Sequence, residues 1–148
     1  EITETEIMSN PELVIDVLGH KEMAGVRSSV DDFGTGYSSL SYLKKLPVQE
    51  IKIDRSFVTH MAVDEEDASI VRAVLELGHS LGLQVVAEGV EDQEALRELV
   101  ALGCDYAQGF YFSQASPAEA LPQQIGLIEA QFYRAVSRGR GDGPRVTH

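Results

Sequence analysis

Glu50-Ile51-Lys52-Ile53-Asp54, followed by Asp64-Glu65-Glu66-Asp67 and then by Leu83-Gln84-Val85-Val86-Ala87-Glu88, is the stretch whose reading decides the fold. The first segment alternates polar and apolar residues, the period of a strand. The acidic quartet crowds the first turn of a helix, where the macrodipole favours negative charge. Ile70, Val74, Leu77 and Leu81 recur at helical spacing and give that helix an apolar face, with Gly82 as its C-cap. Leu83 to Ala87 is a second compact strand, and Glu88 lies just past its end. A strand, a helix and a strand joined by short connections imply parallel pairing and a right-handed crossover.

The same rhythm extends in both directions. Asn10-Pro11 reads as an N-cap with proline at the first helical position, and Val14, Val17 and Leu18 give that helix a buried side. Val26 to Val30 is a strand ending at Asp31-Asp32. A helix runs from about Tyr37 to Leu46, where Pro47 stops it. Asp92 to Leu102 is a helix, Tyr106 to Phe112 a strand, and Pro117 to about Val136 a final helix with a break near Pro122 or Gly126. Residues 1–136 form one domain, and Ser137 to His148, rich in Gly and Arg, read as a flexible tail. About four strand–helix units are present, the first represented by its strand end, whereas a closed eight-stranded barrel takes ~250 residues. The expected fold is therefore α/β, a partial (β/α)8 TIM-type barrel. Its two open parallel edges invite self-association or pairing with the missing half.

Composition narrows the function classes. The chain has 148 residues, 43% hydrophobic and 24% charged, as an ordinary globular domain does. A net charge of -12 argues against a surface that tracks a nucleic-acid polymer, which needs clustered Lys and Arg. It leaves room for a small phosphorylated ligand if metal ions supply positive charge. No apolar run approaches the ~20 residues that cross a bilayer, so no membrane contact is expected from this segment. Cys104 is the sole cysteine and sits among apolar neighbours as a small buried hydrophobe. The expected location is cytoplasmic, either free or as the cytoplasmic part of a larger membrane-anchored sensor.

The polar residues fall at corresponding places on this framework. Asp31 and Asp32 follow one strand, Lys52 lies in the next, Glu88 follows the third and Gln108 lies in the fourth. In a parallel barrel, strand ends converge on the face that carries active sites. Adjacent carboxylates repel each other unless a cation sits between them, and hard divalent cations take oxygen ligands. Each residue alone has an ordinary reading as a solvated loop or strand residue; the common register is what singles them out.

These residues sit in motifs that closely resemble the C-terminal part of the EAL-type cyclic di-GMP phosphodiesterases. The motifs are Glu1-Ile2-Thr3-Glu4, Asp31-Asp32-Phe33-Gly34-Thr35-Gly36, Lys52-Ile53-Asp54-Arg55-Ser56-Phe57, Ala87-Glu88-Gly89-Val90-Glu91 and Gln108-Gly109-Phe110. The resemblance runs from Glu1 to about Leu121 and makes the chain roughly the C-terminal half of an EAL domain. It implies hydrolysis of cyclic di-GMP to linear pGpG by a two-metal mechanism. Glu1, Asp31, Asp32 and Glu88 would hold two divalent cations, with Asp31 bridging them. Lys52, Glu88 and Gln108 would be catalytic, and Glu4 would anchor the loop that follows Asp32. Phe33, Gly34 and Pro117 would face the substrate. The motifs contain no His or Cys, so the oxygen donors suit Mg²⁺ or Mn²⁺ better than zinc.

The family's Glu-Ala-Leu motif and an asparagine ligand belong upstream of Glu1, so the chain alone is expected to be inactive. Gln114-Ala115 and Ser28-Ser29 also depart from the residues usual in the family. Two alternatives stand beside this reading. One is a non-catalytic cyclic di-GMP-binding or protein-interaction module. The other is a different metal-dependent barrel enzyme, which would not account for the five motifs.

Overall fold

A computed structural model describes residues 1–36, 40–136 and 145–146. The strands are β1 (Ile2–Thr3), β2 (Ser29–Phe33), β3 (Glu50–Ile53), β4 (Gln84–Ala87), β5 (Tyr106–Ala107) and β6 (Arg145–Val146). They form one parallel sheet in sequence order, β1-β2-β3-β4-β5-β6. The helices are α1 (Glu4–Ser9), α2 (Pro11–Met23), α3 (Leu40–Leu43), α4 (Arg55–Val58), α5 (Glu65–Ser80), α6 (Gln93–Ala101) and α7 (Leu121–Val136). Parallel neighbours in chain order, each linked by helix, are the arrangement of a (β/α)8 barrel arc. The fold is α/β, and the sheet is open among the described residues.

Register holds the core together. Val30 pairs with Ile51 and Ile51 with Val85, and all three side chains are fully buried. Burying each such side chain contributes roughly 1.5–3 kcal/mol. Helix α5 covers this row closely. A Cβ at Gly78 would stand 2.4 Å from Val85 Cγ2, so only glycine lets the helix lie this near the sheet. Asp64 caps α5 by accepting from Glu66 N and Asp67 N. The buried stripe is Ala68, Val71, Val74, Leu75 and Gly78. Ile70, Leu77 and Leu81, expected at its centre, flank it instead, because the helix is turned to bring Gly78 onto Val85.

Several elements differ from the sequence expectation. The strand expected at Val26 to Val30 is β2, which contains both aspartates because Phe33 pairs with Ile53 and buries its ring beyond them. The register shifts between Val30 and Phe33, and Asp32 takes φ +53° at that bulge. Tyr106 to Phe112 shortens to β5, since the backbone turns there: Gln108 O accepts from Val90 N and Tyr111 N donates to Val90 O. The helix expected from Tyr37 to Leu46 is α3, with Leu46 N still donating to Tyr42 O; residues 37–39 lie outside the described residues. Val17 is 43% exposed and Leu18 alone of the expected trio is buried. Helices α1 and α4 were not expected, although Thr3 and Glu6 form a capping box on α1 that the spacing Thr-x-x-Glu signals. The final helix is preceded by a 3₁₀ turn at Ala118–Ala120, and β6 comes from the stretch read as a tail.

Candidate functional site

Strand alternation presents Lys52 on the face opposite its neighbours Ile51 and Ile53, which are fully buried. The lysine itself is buried too, at 8% exposure, and its Nζ is the meeting point of three carboxylates. Glu88 Oε1 lies 2.5 Å away, Glu1 Oε1 3.0 Å and Asp31 Oδ1 3.3 Å. Each carboxylate comes from a different strand end: Glu1 precedes β1, Asp31 lies in β2 beside Thr3, and Glu88 follows β4. Burial by itself would favour the neutral amine. Hydrogen bonds to Glu88 and Glu1 and the charges of Glu88 and Asp31 outweigh it, holding Lys52 above the usual lysine range.

Asp32 stands apart from this cluster. Its carboxyl is raised by burial and by the charges of Asp31 and Asp54, and it shares a hydrogen bond with the Asp54 side chain. Asp54 is held below the usual range against the effect of burial, because Ser56 donates to it from both its hydroxyl and its backbone N. Asp54 was not among the expected site residues. Its signal was present in Asp54-Arg55-Ser56, since Asp54 is the N-cap of α4.

Glu4 is 3% exposed and accepts at Oε2 from Gly34 N and Gly36 N, both at 3.1 Å, tying the loop after β2 to α1. Gly34 is exposed, and the Phe33 ring is packed in the core. Gln108 follows β5, and among the described residues no hydrogen bond joins its side chain to the Lys52 cluster. It lines a separate cavity of about 410 Å³ with Phe110, Phe112, Gln114 and Gln124. Gly109 beside it is obligatory, since a Cβ there would meet Val90 O at 2.2 Å. Pro117 is exposed at the start of the 3₁₀ turn, outside that lining.

The donor set suits a hard cation: every candidate ligand is a carboxylate, and Glu1, Asp31 and Glu88 already converge on one positive charge. Among the described residues, no group of three or more His, Cys, Asp or Glu is spaced to hold a metal ion directly, and the Lys52 ammonium stands where Glu1, Asp31 and Glu88 converge. No helix among them is long and apolar enough to cross a membrane.

The EAL domain family matches residues 1–115. The bifunctional diguanylate cyclase/cyclic di-GMP phosphodiesterase MucR of Pseudomonas aeruginosa is 47% identical over 121 residues, which cover 82% of this chain and 18% of MucR. The solved structure of the PaMucR phosphodiesterase in complex with c-di-GMP superposes with a TM-score of 0.78 at 47% identity, over 81% of this chain and 49% of that one. The calcium/cy-diGMP complex of Klebsiella pneumoniae BlrP1 gives 0.69 at 38% identity, over 76% of this chain and 28% of that one. The chain thus spans less than a fifth of MucR and about half of the solved PaMucR chain. With the family matched across most of its length, and the parallel sheet laid on solved EAL structures, the chain belongs to the EAL domain family.

Proposed function

We propose that this chain forms the C-terminal part of a cyclic di-GMP phosphodiesterase site that opens one phosphodiester bond to give linear pGpG. The observation that carries the reading is the convergence of Glu1, Asp31 and Glu88 on Lys52 Nζ from three strand ends of an EAL fold. Glu1, Asp31, Asp32 and Glu88 would hold two divalent cations, Mg²⁺ or Mn²⁺. Bound there, the cations supply charge neutralisation at the scissile phosphate and make a water easier to deprotonate. Glu88 takes the proton of the attacking water, whose oxygen bonds to phosphorus as the P–O3′ bond breaks. Lys52 steadies a phosphate oxygen, and Gln108 donates a hydrogen bond to the ligand from its cavity. The departing O3′ takes up a proton, leaving a 5′-phosphate and a free 3′-hydroxyl.

The chain covers about half of the solved PaMucR domain, so on its own it gives at most trace turnover. A chimera supplies the test: residues 1–121 replace the matching segment of the MucR EAL domain, and pGpG is followed by chromatography with Mg²⁺ or Mn²⁺. The expected result is turnover that falls about 10²-fold or more on Lys52→Ala or Glu88→Gln. A folded chimera that binds cyclic di-GMP without hydrolysing it would favour a binding module instead. The same reading places the protein in the cytoplasm and the remaining barrel strands against its open edges.

A further inference from the structure

The ammonium of Lys52 has three N–H donors, and three carboxylates on separate elements face it at 2.5, 3.0 and 3.3 Å. Glu88 and Glu1 accept hydrogen bonds from it, and Asp31 adds its charge. Glu1, Asp31 and Glu88 could not sit so close together without a positive charge among them, since each destabilises the ionised form of the others. The backbone on either side is immobilised by the fully buried Ile51 and Ile53. The geometry points to Lys52 as an internal placeholder for a divalent cation: Nζ holds Glu1, Asp31 and Glu88 together in the metal-free protein and withdraws when a divalent cation takes those oxygens. This inference rests on the metal-dependent reading of the site.

Three features lead to it. The oxygens a hard cation needs are the ones Nζ already occupies, so the lysine and the ion compete for one place. A divalent ion arriving beside a retained ammonium would meet strong like-charge repulsion at such distances. Lysine carries its charge on a flexible four-carbon stem, so Nζ can leave while its backbone stays fixed in β3. Asp32 is outside the grip, exposed in β2, and remains available to the incoming ion. The arrangement keeps the carboxylates gathered without metal, at a cost in metal affinity. It also makes the lysine charge available to a phosphate only once the metal is in place.

The test titrates the 148-residue protein with Mn²⁺ by calorimetry, with Asp31→Asn as the control for binding at this site. Lys52→Met should bind Mn²⁺ about tenfold or more tightly than the wild type. It should also melt at a lower temperature without metal and regain the loss when Mn²⁺ is added. Wild-type affinity equal to or above that of Lys52→Met overturns the placeholder while leaving the metal site standing. If neither protein binds Mn²⁺ in an Asp31-dependent way, the metal-centre reading fails and the placeholder fails with it. Should Lys52→Met not fold, the wild type decides the matter by NMR. The Lys52 ε-methylene signal should shift in step with Mg²⁺ saturation, and an unmoved signal at saturation overturns the inference.

Discussion

Lys52 Nζ lies 2.5 Å from Glu88 Oε1, although the residues belong to β3 and the end of β4 and the whole of α5 separates them in sequence. Parallel pairing puts Lys52 opposite Val86 and Ile53 opposite Ala87, which delivers Glu88 to the lysine. Breaking a buried pair by removing one partner leaves the other charge uncompensated. Lys52→Ala should therefore destabilise the metal-free protein by about 3 kcal/mol in urea unfolding. Adding Glu88→Gln to Lys52→Ala should cost much less than the sum of the single changes. Strict additivity would show that the pair is not coupled.

Asp105 performs a structural task at the opposite ends of the strands. Its Oδ2 accepts from Val85 N and lies 2.9 Å from His79 Nε2, joining β4, α5 and the start of β5. Asp105→Ala would leave Val85 N without that acceptor inside the sheet. The expected loss is about 1–3 kcal/mol, read as a lower melting temperature at neutral pH. A melt unchanged by Asp105→Ala would mean that water replaces the carboxylate at no cost.

Cys104 tests the core itself. It is 2% exposed, and burial pushes its thiol up to about 12, while Sγ donates to Tyr106 O at 3.1 Å. At pH 8 the native protein should react with iodoacetamide far more slowly than the urea-unfolded chain, because the thiolate is the nucleophile. The linkage follows from the raised value. Only the unfolded chain ionises from about pH 9 upward, so this thiol's contribution to stability is complete below that and lost as pH rises towards 12. Equal labelling rates for native and unfolded protein would place Cys104 outside the core.

Much of this was legible from residue order. The α5 cap at Asp64, the strand at Gln84–Ala87 and the helix at Gln93–Ala101 follow local rules of capping and periodicity, which act over a few residues. Asp31, Asp32, Lys52 and Glu88 were legible for a related reason: they recur at strand ends, and a parallel sheet converts that sequence register into spatial proximity, whereas Glu1 and Glu4 were named through the family resemblance alone. Asp54 was overlooked because its partner Asp32 lies in another strand, and a helix cap attracts no notice as part of a site.

By itself the sequence determined the parallel α/β arc, its longer helices and the register that brings Asp31, Lys52 and Glu88 together, since periodicity and strand order carry those directly; Glu1 was named by the family motif it resembles. Only the tertiary structure decided how the charges are arranged. It placed the Lys52 ammonium among the three carboxylates, turned Asp32 towards Asp54 through a bulge with φ +53°, and separated Gln108 into its own cavity. Those outcomes depend on side-chain directions and on the balance of burial against charge. Both are set by contacts between residues far apart in the chain.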